Sequence, residues 1–224
     1  MIKTVFIDID DTLLSFPHCA DFSAKMAAKE VGITLPENTG EVFTRHNKAL
    51  WKKIEQGIYT LEDLRRVRWN TVFADLCISY DGEAFEVLFR KYLAYSKTHE
   101  KGAEELLSYL YKKYPLFVAS NGPTFQQKNR MELAGLSKYI SGYFISEEVG
   151  YSKPSTKFFE KALSVSGADK NEAIMIGDSL SADIAGANAV GIKSIWISHG
   201  EVRGENDPLP TYTVNEISEI KNIL

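Results

Sequence analysis

The chain has 224 residues, 44% of them hydrophobic and 25% charged, which allows one large domain or two small ones with a real core and excludes a disordered or collagen-like chain. Lys+Arg number 26 against 30 Asp+Glu, a net charge of −4, which argues against a partner that is a nucleic-acid polymer. The two cysteines, Cys19 and Cys77, form no CxxC pair, and no apolar run reaches the roughly 18 residues of a membrane helix, so the expectation is a cytoplasmic chain without a disulfide framework, cysteine-rich zinc site or membrane partner.

In chain order, the first element is a short apolar strand, Thr4-Val5-Phe6-Ile7, that runs into Asp8 and reads as a strand rather than a signal peptide. From about Asp21 to Ser96 helical periodicity dominates. Asn47, Leu50, Trp51 and Ile54 share one helix face, Gly57 ends that helix, and Thr60 with Asp63 forms a capping box for the next. A further helix spans about Gly82 to Tyr95. From about Gly102 strands alternate with helices. The strands are Leu116–Ala119, Tyr143–Ile145, Ala173–Ile176, Ser194–Ile197 and Tyr212–Val214, and the helices lie near 102–113, 124–134, 155–166, 182–189 and 215–223. Short apolar strands without clear alternation indicate burial on both faces, hence a parallel α/β sheet covered by helices. The expected architecture is a sheet core interrupted after its first strand by a helical insertion. Such sheets bind ligands at the carboxyl ends of their strands.

Four motifs lie at those ends. Asp8-Ile9-Asp10-Asp11-Thr12 follows the first strand: a carboxylate serves for covalent phosphoryl transfer, and a second carboxyl two residues on serves as general acid and base. Ser120-Asn121-Gly122-Pro123 stops the second strand where a helix starts, which suits an anion. Lys153 sits in a loop before a helix, where it can neutralise phosphate and keep a carboxylate ionised. Gly177-Asp178-Ser179 ends another strand, with Asp183 five residues beyond Asp178 as a second ligand or as a partner that orients Lys153. Alone, each also fits a plain alternative: an acidic turn, an N-cap, a solvated lysine, a turn. Together they bring carboxylates to one place. Two carboxylates about 4 Å apart repel by roughly 4 kcal/mol at an effective dielectric near 20. A divalent cation relieves that, and oxygen ligands suit Mg²⁺ rather than zinc.

The four motifs in this order resemble the haloacid dehalogenase superfamily of phosphohydrolases. The resemblance implies a Rossmann-like three-layer α/β/α core, residues 1–14 and 99–224, and an inserted α-helical cap, residues 15–98. It implies Asp8 as nucleophile and Mg²⁺ ligand, and Asp10 as general acid/base that also ligates Mg²⁺ through its backbone carbonyl. Ser120 and Asn121 would hold the phosphoryl oxygens, Lys153 would bridge Asp8 and phosphate, and Asp178 would ligate Mg²⁺ with Asp183 in support. Dehalogenases of the superfamily lack an acid at the position of Asp10, because a halide leaves without a proton and an ester oxygen does not. Closing of the cap would exclude water, with hinges near Ser15–Pro17 and Lys97–Lys101.

A finer resemblance, to the YjjG-type pyrimidine 5′-nucleotidases, rests on Asn47-Lys48-Ala49-Leu50-Trp51, Gly57-Ile58-Tyr59-Thr60, the run Ile145–Gly150 before Lys153-Pro154, and Pro210–Val214. It implies Mg²⁺-dependent removal of phosphate from pyrimidine nucleoside 5′-monophosphates. Asn47 would read a pyrimidine edge or stand solvated, Trp51 would be core or ligand contact, and Phe16 and His18 are further contact candidates. His46, His99 and His199 receive no role. Alternatives that stay open are a phosphatase of phosphoglycolate or a sugar phosphate, a phosphomutase using Arg65, Arg66 or Arg68, and a scaffold that has lost turnover.

Overall fold

Four residues, Thr4–Ile7, three of them apolar, form β1 at the centre of a six-stranded sheet. The other strands are β2 (Leu116–Ser120), β3 (Gly142–Ile145), β4 (Ala173–Gly177), β5 (Lys193–Ile197) and β6 (Tyr212–Val214). Their order is β3-β2-β1-β4-β5-β6, and every neighbouring pair is parallel. Side chains of β1 alternate between two apolar layers: Val5 and Ile7 join one, Phe6 the other. Burial on both faces explains why the sequence shows no polar alternation there. The computed structural model describes residues 1–224 and divides them into two compact units, Met1–Ser15 with Lys97–Leu224, and Phe16–Ser96.

The Phe16–Ser96 unit is all-helical: α1 (Phe16–Val31), α2 (Thr39–Glu55), α3 (Leu61–Asp75) and α4 (Gly82–Leu93). Its first helix starts at Phe16, five residues before the expected Asp21, because Pro17 is tolerated in a first turn. The capping box of α3 is present: Asp63 N–H donates to Thr60 Oγ1 at 3.1 Å and Thr60 N–H to the Asp63 carboxylate at 2.8 Å. Trp69, wholly buried, packs against Phe43, Phe73, Phe85 and Phe89 with ring centroids 4.6–5.4 Å apart. Trp51, expected as core or ligand contact, is only half-buried, so Trp69 is the tryptophan that organises this unit.

In the sheet unit, α5 (Ala103–Leu110), α6 (Thr124–Leu133) and the 3₁₀ helix Ile217–Asn222 cover the Val5/Ile7 face. On the Phe6 face lie the short α7 (Ser146–Val149), α8 (Thr156–Ser166) and α9 (Ala185–Val190). This is a three-layer α/β/α arrangement, as expected from the pattern. Two helices differ from the expected ones. The segment near 182–189 begins as a π turn, Leu180–Ile184, before α9, and the last helix is 3₁₀ rather than α. No helix is long and apolar enough to cross a membrane.

Candidate active site

The site begins where β1 ends. The N–H of Asp8 donates to the carbonyl of Ile176 at 2.9 Å, which carries the β1–β4 ladder one residue past the strand. The neighbours of β1 are β2, ending in Ser120, and β4, ending in Gly177 next to Asp178. One sheet edge thus brings Asp8, Ser120 and Asp178 together at the point where strand order reverses. Lys153 arrives from the loop after α7. Its backbone is clasped by Asn121, whose Oδ1 accepts from Lys153 N–H and whose Nδ2 donates to Lys153 carbonyl, both at 2.8 Å. The Asn121 side chain, expected on the phosphoryl oxygens, is therefore committed to bracing the lysine loop. The expected free helix start also differs: the Glu147 carboxylate accepts from Thr124 N–H at 2.8 Å.

Lys153 is 2% exposed, and its ammonium donates to three acceptors: Asp8 Oδ1 at 2.7 Å, Asp183 Oδ1 at 2.6 Å and the Ala119 carbonyl at 2.7 Å. All three of its protons are thereby placed. Burial alone would lower the lysine pKa, but Asp183 and Asp8 outweigh it and hold the ammonium above its ordinary value. Asp183 is fully buried on the π turn, and its Oδ2 accepts from Ser179 N–H at 3.2 Å. That makes it the residue orienting Lys153. Gly177 is required here, because a Cβ at that position would lie 2.1 Å from Asp183 Oδ2.

Asp8, Asp178 and Asp183 offer oxygens within 4.8 Å of one another. Three carboxyl groups against one ammonium would, if all were ionised, leave two negative charges in a desolvated place, and the site resists that. Burial, with Asp183 and Asp10 adding to it against the opposing Lys153, pushes the Asp8 carboxyl up to about 7. Burial, then Asp183, Asp8 and Asp11, push Asp178 well above the carboxylate range. The Asp178 carbonyl is fixed by Trp196, whose indole N–H donates to it at 2.7 Å.

Asp10 lies two residues on, and its carboxylate meets two side chains that the sequence reading did not single out. Arg130 Nη1 donates to Oδ1 at 2.7 Å and Gln127 Nε2 to Oδ2 at 2.8 Å. Gln127 Nε2 also donates to Ser120 Oγ at 2.8 Å. Both residues are on α6, three apart, a spacing that shares a helix face. That spacing is visible in the sequence. Which residue the face meets is not, since Asp10 lies 117 positions before Gln127.

In the helical unit, Asn47 is not the solvated residue that was one of its two expected readings. It is buried, and its Oδ1 accepts from Arg68 Nη1 at 3.1 Å. Arg68 pairs with buried Glu86 at 2.6 Å and lies over the rings of Phe43 and Phe89, so it is not available to rebind a phosphorylated intermediate. Arg65 and Arg66 both face Glu62. Phe16 stacks on Phe43 at 6.3 Å within the unit's core, and His18 is exposed in the first turn of α1. The three histidines without an assigned role each have a partner: His46 with Asp75, His99 with the Ala134 carbonyl and His199 with the Asp11 carbonyl.

Residues 2–191 match the family described as haloacid dehalogenase-like hydrolase. The chain belongs to this family. It is an enzyme with phosphatase activity, as the family and its named phosphatase and nucleotidase relatives support. Among its relatives is the pyrimidine 5′-nucleotidase PynA of Streptococcus pneumoniae, 33% identical over 99% of this chain and 97% of that one. Another is the pyrimidine 5′-nucleotidase YjjG of Escherichia coli, 28% identical over 98% and 96% of the two chains. A crystal structure of the HAD-hydrolase YfnB of Bacillus subtilis, bound to magnesium and described as revealing interdomain movement, superposes with a TM-score of 0.93. It has 25% identity and covers 100% of this chain and 98% of that one.

Proposed function

We propose that the enzyme hydrolyses pyrimidine nucleoside 5′-monophosphates through an aspartyl-phosphate at Asp8, with Mg²⁺ as cofactor. The observation that carries the chemistry is the buried Lys153 ammonium bound to Asp8 on one side and Asp183 on the other, with Asp10 two residues from Asp8. The pyrimidine substrate rests on the two nucleotidases to which nearly the whole chain is similar.

In this reading an oxygen of Asp8 attacks phosphorus as the ester P–O bond breaks, and Asp10 gives its proton to the departing alcohol oxygen. Water then attacks the same phosphorus while Asp10 takes a proton from it. The bond from phosphorus to Asp8 breaks and the carboxylate returns. Ser120 holds the phosphoryl oxygens, and the Lys153 ammonium, bonded to Asp8, neutralises charge beside them. The backbone N–H groups of Asn121 and Gly122 add to this, which keeps Asn121 in the phosphate site through its main chain. An all-oxygen set of three carboxyl groups beside a single ammonium fits a hard divalent cation. Asp8, Asp178 and the Asp10 carbonyl would hold it. When bound, it would neutralise charge on the transferring phosphoryl group.

The raised carboxyl of Asp8 gives this fit a pH signature. Its pKa is higher folded, about 7, than the ordinary 3.8, so the folded state binds the extra proton. The part of the metal-free protein's stability that comes from the Asp8 proton therefore falls as pH rises from about 4 to about 7 and is lost above that. A cation that replaces the proton stabilises most where the proton is gone. The Mg²⁺-induced rise in Tm is expected to be several degrees larger at pH 8 than at pH 5.5. Equal shifts at both values would remove Asp8 from the metal site.

Phosphate release with Mg²⁺ across pyrimidine and purine nucleoside monophosphates, phosphoglycolate and sugar phosphates tests the substrate. The expected result is kcat/KM at least about tenfold higher for UMP and dTMP than for the purine nucleotides or the sugar phosphates, a preference of about 1.4 kcal/mol. A preference for a sugar phosphate or phosphoglycolate would leave the chemistry and replace the substrate.

A further inference from the structure

Beyond the residues that would touch the phosphoryl group, we propose that Gln127 and Arg130 position the acid/base Asp10. They fix the plane of its carboxyl and lock it to Ser120. This rests on the reading of Asp10 as the acid of a phosphatase.

Both carboxyl oxygens of Asp10 are engaged by different side chains of one helix, Oδ1 by Arg130 and Oδ2 by Gln127. A carboxyl held at both oxygens cannot turn about its Cβ–Cγ bond without losing one of them. The holders are themselves fixed. Gln127 is 1% exposed and Arg130 wholly buried, and Arg130 Nη1 also donates to Gln127 Oε1 at 2.9 Å. Through its single Nε2 group, Gln127 touches both Asp10 and Ser120. The group that would protonate the leaving oxygen and the group that would hold the phosphoryl oxygens thus share one amide. Side-chain relative exposure of Asp10 is 32%, so the carboxyl keeps an open side while its other side is held.

Gly122 is an independent sign that Gln127 occupies a built position. A Cβ at Gly122 would come within 2.7 Å of Gln127 Cγ and 2.8 Å of its Cδ and Nε2. The turn after Ser120 lacks a side chain where Gln127 folds back across it. Alanine there would push the amide off Asp10 and Ser120 while removing no polar group.

A misplaced acid matters most when the leaving oxygen needs a proton. Departing alkoxides need it, whereas 4-nitrophenolate is a good leaving group without it. The test is single-turnover release of the leaving group, enzyme in excess with Mg²⁺, from an alkyl monoester that the wild type hydrolyses and from 4-nitrophenyl phosphate. For Gln127→Met, Arg130→Met and Gly122→Ala, release from the alkyl ester is expected to slow about 10–100-fold. Release of 4-nitrophenol is expected to slow at least about tenfold less than that, the lost hold on Ser120 being shared by both esters. Equal slowing for both esters, or none for either, would overturn the positioning role. Should Arg130→Met fail to fold, Gly122→Ala decides, because it keeps every polar group. A wild type that releases neither alcohol defeats the phosphatase reading itself, a result distinct from wild-type turnover with equal losses in the variants.

Discussion

Asp8→Asn is expected to lower phosphate release by roughly 10⁵-fold or more while leaving the protein folded. The amide is nearly the size of the carboxyl and can still accept from Lys153, so the ladder from Asp8 N–H to Ile176 and the packing around it have no reason to change. What disappears is the nucleophile. Stability should move the other way. Asp8 is a desolvated carboxyl crowded by Asp178 and Asp183, and its ionisation near neutral pH costs the fold free energy. A neutral amide relieves that. The metal-free variant is expected to melt a few degrees above the wild type at pH 8, since about 1 kcal/mol corresponds to roughly 2–4 °C for a chain of this size. At pH 5, where Asp8 is already protonated, the difference should vanish. Thermal scans at the two pH values, beside a phosphate-release assay, check both halves. A fall in Tm at pH 8 would mean that Asp8 contributes to stability as an ion, contrary to its crowding.

Lys153→Met is expected to cost both activity and fold. It removes one cation that Asp8 and Asp183 share and leaves two carboxylates buried together, with the Ala119 carbonyl also losing its donor. Breaking a buried ion pair from one side costs about 3–5 kcal/mol. Because both orphaned groups are acids, protonation relieves the damage. The variant's deficit in metal-free stability is therefore expected to be largest at pH 8 and to shrink as pH falls toward 5. Phosphate release should drop by about 10³-fold or more, since the lysine would also neutralise charge beside the phosphoryl group. Lys153→Arg is not expected to rescue it. A planar guanidinium does not match an ammonium that donates to three acceptors converging on one nitrogen. Denaturant melts across pH, with activity measured on the same samples, would test this. A deficit independent of pH would show that the methionine fails for reasons of shape rather than charge.

The parts of this molecule that were legible in its sequence are those that depend on short stretches of chain. Thr4–Ile7, Ala173–Gly177 and the other strands stand out because burial on both faces demands continuous apolar runs. The motif ends stand out because a polar residue directly after such a run has nowhere to go except the sheet edge. The Thr60–Asp63 box is legible for the same local reason. Residues whose meaning depends on a distant partner were not legible. Asn47 looks like any polar residue on a helix until Arg68 is seen to turn toward it. Asn121 looks like a side-chain phosphate contact until that side chain is found on the Lys153 backbone. Gln127 and Arg130 look like a solvated helix face until Asp10 is placed against them. On the π turn at Leu180–Ile184, Asp183 reaches Lys153 and Ser179 together, an arrangement that helix periodicity does not encode.

The central claim is a phosphoryl group carried on Asp8. Its most direct test is rapid acid quench of the wild type with Mg²⁺ and ³²P-labelled substrate, followed by peptide mapping and borohydride reduction. The expected result is an acid-stable, base-labile label on the N-terminal peptide, with Asp8 converted by reduction to homoserine. A label on Ser120 or any other side chain would contradict the account, as would turnover with no labelled enzyme at any quench time.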